Sequence, residues 1–441
     1  MRSVSFPLSI LFWAALAVPP ARAMTLGEAQ ALLLRDNPDL AVLRLEIERA
    51  GEQVAEARSA WLPSLDATAA YGYTTETSRL KLDLPFPPPA GTHIERRLGD
   101  HDRAEAAVEA SYALFTGFSR GNRIHAQRLG LRAREDQWRA ACNQMSLRLA
   151  SLFYAWQLAS SQAAYQEKLL GHARELEKQL QDFVKAGTAV RSRLLAAQAR
   201  SRAAEVDRLA AGNTRDSLAF EVLAFLGRRD ETWDSTGIAR LSADTAAPAS
   251  PAWEASGGVS RPEAEALELG AAQARLGARS LAGQKWPQVY GSAGWRYADP
   301  GLDLAGEGFM GYGTLGVQAK WNLFDGARNR SQRRQLEAQA RQLEEQKRKL
   351  EQDWRKAMAV ARLQFGRWTS QYEAARASRE ASSAVAADVR RQWEAGVATE
   401  ADWLDARNGE AKAELAMEQA RAMQKLARLQ WEFAAGKELR F

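Results

Sequence analysis

The feature that most constrains the fold of this chain is an internal duplication. Asn37-Pro38-Asp39 recurs as Arg261-Pro262-Glu263, an offset of 224 residues, and LPSLDATAAYGY at 62–73 matches WPQVYGSAGWRY at 286–297 at the same offset. Further along, VEASYALFTG at 108–117 matches VQAKWNLFDG at 317–326 at an offset of 209. Because each copy of a repeat forms the same structural unit, the two halves are predicted to share one fold.

The duplication also predicts the domain boundaries. Residues 1–23 contain Arg2, an apolar run and a terminal Ala-Arg-Ala, which is typical of a cleaved export signal. We therefore predict a signal peptide over 1–23, a first repeat over 24–227, a linker over 228–260 and a second repeat over 261–441. The chain has a single cysteine, Cys142, so a disulfide within the chain is excluded.

Most of each repeat is predicted to be helical. Alternating steps of four and three from Leu131 to Val184 select sixteen positions, of which thirteen are apolar. A seam sustained over this many heptads predicts coiled-coil packing. The stretch between glycines 117 and 187 would span about 105 Å as helix, and the stretch from 326 to 396 has the same length. A shorter helix follows each, so the sequence predicts two helical hairpins.

Gly187 and Gly396 are predicted to lie at the tips of these hairpins. Each stands where the chain must reverse, and glycine supplies the positive φ that ends many helices. Thr188 and Thr399 are predicted to cap the returning helices.

Two short segments in each repeat alternate between apolar and polar side chains. They predict strands over 64–74, 106–115, 288–298 and 313–324, each apolar on one face and polar or small on the other. One such strand would fit a half-buried soluble sheet, but four in an exported chain favour a transmembrane barrel with a wet lumen. Aromatic residues near the strand ends are predicted to lie at the membrane interface, namely Tyr71, Tyr73, Tyr112, Trp295, Tyr297 and Trp321.

Four strands are too few to close a barrel, and lipid does not tolerate an open sheet edge. The chain is therefore expected to oligomerise through its sheet. Two copies would give eight strands with a filled interior, whereas three would give twelve strands and room for a pore.

The sequence does not favour an enzyme or a nucleic-acid-binding protein. Without Arg2 and Arg22 it carries 58 basic and 54 acidic residues, and no basic patch is interleaved with aromatic residues. It contains no P-loop, GxSxG, CxxC or HExxH motif. We predict no catalytic residues, no cofactor and no metal site.

The ordered motifs of both repeats resemble the TolC family of outer-membrane efflux and secretion channels. The motifs are NPDL with RPE, AWLPSL with QKWPQV, ALFTG with NLFDG, and AGVATEADWLDARNGEAKAELAMEQA at 395–420. The resemblance covers essentially the whole mature chain. It implies a mainly α fold with a small β part, in which a homotrimer shares a 12-stranded barrel and an α-barrel of coiled-coil hairpins.

The same resemblance implies the function. The chain would be the exit duct of a tripartite efflux pump or type I secretion system in the bacterial outer membrane. It would passively conduct substrates from a periplasmic adaptor and an inner-membrane pump of RND, MFS or ABC type. The alternative is a periplasmic coiled-coil adaptor. Residues 228–260 would be an equatorial band or an exposed linker, and the adaptor would dock at Gly187, Thr188, Gly396 and Val397.

The two tips carry opposite charges at matched positions. At the offset of 209, Arg191 corresponds to Glu400 and Arg193 to Asp402. Related channels often have an acidic residue where Arg193 stands. We hypothesise that ion pairs between neighbouring hairpins hold the periplasmic entrance closed. Alternatively, these charges are simply solvated, and the two acids are stabilised by the dipole of the helix they begin.

Overall fold

The computed structural model describes residues 25–76, 78–83, 93–98, 101–227, 261–299, 301–302 and 308–441. The predicted signal peptide over 1–23, the predicted linker over 228–260 and residues 84–92 lie outside this part of the chain.

The two repeats fold into matching series of elements. In chain order these are α1 (Leu26–Asp36), α2 (Pro38–Ser59), β1 (Ser64–Tyr73), β2 (Ser78–Asp83), β3 (His93–Leu98), β4 (Asp102–Phe115), α3 (Ser119–Lys185), α4 (Arg191–Phe225), α5 (Pro262–Gly283), β5 (Gln288–Asp299), β6 (Met310–Lys320), α6 (Arg328–Glu394) and α7 (Glu400–Ala434). Helices α3 and α6 both have 67 residues, and α4 and α7 both have 35. Their bounds obey the offset of 209, which confirms the tandem duplication.

The helical segment that begins the first repeat is broken into two helices at Asn37. Asn37 has an extended conformation, with ψ at 126°, because a residue before proline disfavours the helical region. Its Oδ1 accepts hydrogen bonds from the backbone N–H groups of Asp39 (2.9 Å) and Leu40 (3.2 Å). Asn37 therefore caps α2, and Pro38 occupies the first helical position, where it needs no N–H partner.

The four predicted strands form one antiparallel sheet in the order β1-β4-β5-β6. Strands β1 and β5 match the prediction to within one residue, whereas β4 begins at Asp102 rather than 106 and β6 covers Met310–Lys320 rather than 313–324. Strands β2 and β3 form a separate antiparallel hairpin that was not predicted. Each has only six residues and is rich in charged residues, so neither offers a period-two pattern as long as those of the other four strands.

The chain divides into two compact units. One takes the described residues of Met1–Val42, Arg139–Ser260 and Gln352–Phe441, and the other those of Leu43–Trp138 and Arg261–Glu351. The first unit has a core of large side chains that includes Leu33, Leu149 and Trp156. The second has a core of Ala271, Ala274 and Ala340, whose small side chains let helices pack closely. Among the described helices, none is both long enough and apolar enough to span a membrane.

Candidate functional site: the strand sheet and the helical tips

The four-stranded sheet has one apolar face and one polar face. Val108 lies opposite Ala67 on one side and Trp295 on the other, and Gly291 lies opposite Val317. Cross-strand partners share a face, so the predicted apolar positions of all four strands come together. This face is open in the single chain, where Leu315 is 89% exposed and Val317 73%. An exposed apolar surface of this kind marks contact with a membrane or a partner.

Four of the predicted interfacial aromatic residues lie towards one end of the apolar face. Tyr71 and Tyr297 stand opposite Ala104 and Ala106, which are near the start of β4. Tyr73 and Trp295 lie on the same face, beside them. The Tyr297 ring stacks on Phe309 with centroids 5.0 Å apart, and Phe309 was not predicted.

The other two predicted aromatic residues lie at the opposite end of the sheet. Tyr112 lies 5.4 Å from the guanidinium of Arg120, and Trp321 Nε1 donates a hydrogen bond to the backbone oxygen of Lys285 (3.0 Å). Sequence reasoning missed the exposed Trp61 and Trp286, which lie three and two residues before the first residues of β1 and β5, in the motifs AWLPSL and QKWPQV.

The two aromatic groups have the spacing of barrel girdles. Gly311, which pairs with Tyr297, precedes Trp321 by ten residues along β6 and its continuation. At about 3.3 Å per residue and a strand tilt of about 40°, this separation corresponds to roughly 25 Å across a membrane. The apolar band of an outer-membrane barrel has that height.

The polar face carries charged side chains suited to a water-filled lumen. Arg296 lies 2.9 Å from a carboxylate oxygen of Glu105 and 3.6 Å from one of Glu109. Asp66 lies directly opposite Glu109 on the neighbouring strand, so two like charges face each other. Among the described residues, no three His, Cys, Asp or Glu side chains are grouped as metal ligands.

The hairpin tips reverse the chain as predicted. Gly187 has a φ of 77° and Gly396 a φ of 73°. The residue after each glycine donates its backbone N–H to a carbonyl five residues earlier, Thr188 to Phe183 (2.9 Å) and Val397 to Gln392 (2.8 Å). Both tips therefore end the long helix with the same glycine-dependent motif, which needs positive φ at the glycine.

The two tips differ where the returning helix begins. Thr399 caps α7 as predicted: its Oγ1 accepts from the Asp402 N–H (3.2 Å), while Asp402 Oδ2 accepts from the Thr399 N–H (3.0 Å). The Thr399 hydroxyl also donates to Asp402 Oδ2 (2.6 Å), and this bond, followed by the one from the Thr399 backbone N–H, lowers the pKa of Asp402. The prediction that Thr188 caps α4 was wrong. Val190 occupies that position without a side-chain cap, and Thr188 Oγ1 donates to Phe183 O (3.0 Å).

The four charged tip residues have different surroundings. Arg191 and Arg193 are exposed, whereas Glu400 is half-buried and burial raises its pKa. Glu400 Oε1 is buried and has no hydrogen-bond partner among the described residues. Within that part of the single chain, no ion pair joins either arginine to Glu400 or Asp402.

The two hairpins contact each other through α3 and α7. Lys168 pairs with Glu414, and Arg407 with Glu175. Between these pairs, His172 Nδ1 lies 2.9 Å from Asn408 Oδ1, and burial lowers the pKa of His172. None of these contacts was predicted, because the paired residues are more than 200 positions apart in the sequence.

The model of the outer membrane efflux protein family matches residues 30–228 and 259–437, which covers both repeats. The chain belongs to the outer membrane efflux protein family. It is therefore an outer-membrane efflux channel with a long periplasmic helical part. This membership favours the channel over the alternative of a periplasmic adaptor.

Solved structures share the fold over nearly the whole chain. CusC has a TM-score of 0.72 at 15% identity, covering 94% of this chain and 93% of its own. The Campylobacter jejuni CmeC outer membrane channel has 0.73 at 15%, with 94% and 86% covered. The Neisseria gonorrhoeae MtrE outer membrane channel, in its open state, has 0.69 at 17%, with 94% and 89% covered. A search of curated protein sequences found no match.

Proposed function

We propose that the chain is the exit duct of a tripartite efflux pump or type I secretion system and works as a homotrimer. The observation that supports this proposal most directly is the four-stranded sheet of this member of the family, whose apolar face is exposed in the single chain. Its outer strands, β1 and β6, each have one neighbour in the sheet. Three copies would supply twelve strands, close those edges and turn the apolar faces towards lipid.

The proposed domain plan follows the duplication. A signal peptide over 1–23 would direct export, the repeats would occupy 24–227 and 261–441, and residues 228–260 would join them. The duct conducts substrate passively, so an inner-membrane pump of RND, MFS or ABC type supplies the energy. A periplasmic adaptor connects the pump to the duct.

The adaptor docks at the hairpin tips in this proposal, on Gly187 and Thr188 of one tip and Gly396 and Val397 of the other. The tips expose apolar side chains that are not used in packing the chain, and Val397 is 77% exposed. The first tip is basic through Arg191 and Arg193, and the second is acidic.

A change at Gly396 tests the docking site. Gly396→Val places a β-branched residue at a φ of 73°. The left-handed region costs an ordinary L-residue about 1–2 kcal/mol, so the tip should rearrange. Efflux by cells should fall while the amount of assembled protein stays normal. Gly409→Val is the matched control, because Gly409 lies within α7 and a Cβ there meets no atom within 4 Å. If the Gly396 variant transports normally, the tip is not the adaptor contact.

The same tips are proposed to gate the entrance. Arg191 and Arg193 of one hairpin would pair with Glu400 and Asp402 of the neighbouring hairpin. Each exposed pair contributes only about 0.2–1 kcal/mol and is screened by salt. Repetition around a ring would still bias opening by a few kcal/mol.

Single-channel conductance in a planar bilayer tests the gate. Arg193→Glu should raise conductance at low salt, and Asp402→Arg added to it should restore the closed level. The difference should shrink as salt rises. If the single variant leaves conductance unchanged at low salt, or the second change does not rescue it, the charges are solvated and do not close the entrance.

A further inference from the structure

We propose that β6 of one copy pairs with β1 of the next in a register that the internal duplication determines, with Val317 opposite Tyr71 of the next copy. We call this contact the seam. The inference rests on the proposed trimer and adds the residue-by-residue interface between its copies.

The basis is a junction that already exists within the chain. Strand β4 ends the sheet segment of the first repeat, and β5 begins that of the second. Their antiparallel register places Val108 opposite Trp295 and Glu109 opposite Gly294. A closed ring of alternating repeats must also contain the reverse junction, in which the second repeat of one copy meets the first repeat of the next.

The two repeat offsets convert the observed register between β4 and β5 into the register of the seam. The offset of 209 carries Val108 to Val317, and the offset of 224 carries Trp295 back to Tyr71. The same translation places Gln318 opposite Ala70 and Lys320 opposite Thr68. Each of these positions is the repeat counterpart of a residue paired in the β4–β5 register.

The faces of the two strands agree with this register. Val317 is 73% exposed and Tyr71 is 74% exposed, and both lie on the apolar face of the sheet. Their polar neighbours, Gln318 and the small Ala70, then share the lumen face. A slip of one residue would bring apolar side chains of one strand beside polar side chains of the other, so only shifts of two remain as competitors.

Charge favours registers that bring Lys320 close to Asp66 of the next copy, and the translated register is one of them. Within the chain, Asp66 stands opposite Glu109, and its carboxylate accepts a hydrogen bond from Ser64 Oγ (3.3 Å). In the seam, Lys320 is opposite Thr68 and therefore diagonal to Asp66 of the next copy. A long side chain reaches a diagonal neighbour, so the seam brings a cation to a site where two carboxylates face each other.

The seam also explains why β6 ends early. Strand β4 continues to Phe115, which pairs with Val289 beyond an irregularity in the register. The counterpart, Phe324, would pair with Leu65 of the next copy. In the single chain β6 ends at Lys320, which is opposite Gln288, the first residue of β5. Residues 321–324 have no strand to pair with until the next copy supplies β1.

Disulfide trapping in the full-length protein tests the register. In a Cys142→Ser background, Gln318→Cys is combined with Ala70→Cys. Directly opposite residues have Cα atoms about 4.5–5.5 Å apart, within the range of a disulfide, whereas diagonal ones lie at about 7–8 Å. Oxidation of the purified protein should yield chains linked in twos and threes. The matched controls pair Gln318→Cys with Thr68→Cys or Gly72→Cys, and should stay unlinked over the same time.

The outcomes of this experiment separate the register, the seam and the trimer from one another. If a control pair links in preference to Gln318 and Ala70, the register is overturned while the trimer stands. If native mass shows a trimer but no pair links, the seam itself is wrong. A monomer would overturn the assembly in the proposed function instead. Should the first pair prevent folding, Lys320→Cys with Thr68→Cys tests the same register.

Discussion

The capping box of the second tip makes a measurable prediction about tip stability. Thr399→Val keeps the shape of the side chain and removes the hydroxyl. The variant loses the hydrogen bond from the Asp402 N–H (3.2 Å) and the one that Thr399 Oγ1 donates to Asp402 Oδ2 (2.6 Å). Loss of an N-cap costs about 0.5–2 kcal/mol. Since 1.4 kcal/mol corresponds to a factor of ten, opening of the first turn of α7 should become about 2–30 times more frequent.

Hydrogen exchange followed by mass spectrometry on the detergent-purified protein measures this opening. Amides at the start of α7 should exchange faster in Thr399→Val by that factor. Val190→Ala is the matched control, because Val190 occupies the same position in the first tip and supplies no side-chain cap. Exchange at the start of α4 should not change. Equal effects at both tips, or none at Thr399, would refute the assigned role of the capping box.

The same box predicts a dependence on pH. Hydrogen bonds from Thr399 lower the pKa of Asp402 in the folded protein. A lowered pKa means that the stabilisation is complete above the ordinary aspartate value and is lost as the pH falls through the folded-state value. The tip should therefore lose this contribution of the carboxylate only in acid, and Asp402→Asn should abolish that transition in a titration followed by NMR.

Three further changes test the sheet and the core. Val317→Arg, on the apolar face, should cost about 2–4 kcal/mol near the membrane midplane and reduce the amount of assembled protein in outer-membrane fractions, whereas Gln318→Arg should not. Leu149→Ala empties a fully buried position and should lower the free energy of unfolding by about 2–5 kcal/mol in thermal denaturation. Asn37→Ala removes the cap of α2 and the hydrogen bond to Phe225 O (2.8 Å), and should cost about 0.5–2 kcal/mol in the same assay, while Asn37→Ser should lose less.

The fold could be predicted from the periodicity and the internal duplication, because both are patterns that recur along the sequence itself. The alternation in β1 and β5 predicted these strands and their apolar faces correctly. The same alternation of polar and apolar residues occurs in all four strands, so it leaves little choice as to which side chains share a face. The glycines at 187 and 396 gave the tips, because a positive φ at the end of a long helix has few other solutions.

Local capping was harder to predict. Thr188 and Thr399 both follow a tip glycine closely, yet only Thr399 is followed three residues later by an acidic side chain, Asp402, that can return the hydrogen bond. The Thr-x-x-Asp spacing was a usable signal that distinguishes the two tips. In the first tip Arg191 stands three residues after Thr188, so the box cannot form.

Contacts between distant residues could not be predicted from the sequence. His172 meets Asn408, and Arg120 lies over Trp61, only because segments far apart in the chain pack side by side. The early end of β6 was missed for a related reason. The alternation continues to about 324, but a strand needs a neighbour, and the neighbour proposed here belongs to another copy.

The native mass of the detergent-purified protein tests most directly whether this chain builds a shared barrel. The sheet in each chain has two outer strands with single neighbours, and the proposed function requires three chains to close it. Native mass spectrometry should therefore show one species with three times the mass of the processed chain. A stable monomer that retains its strands in the membrane fraction would contradict the shared barrel.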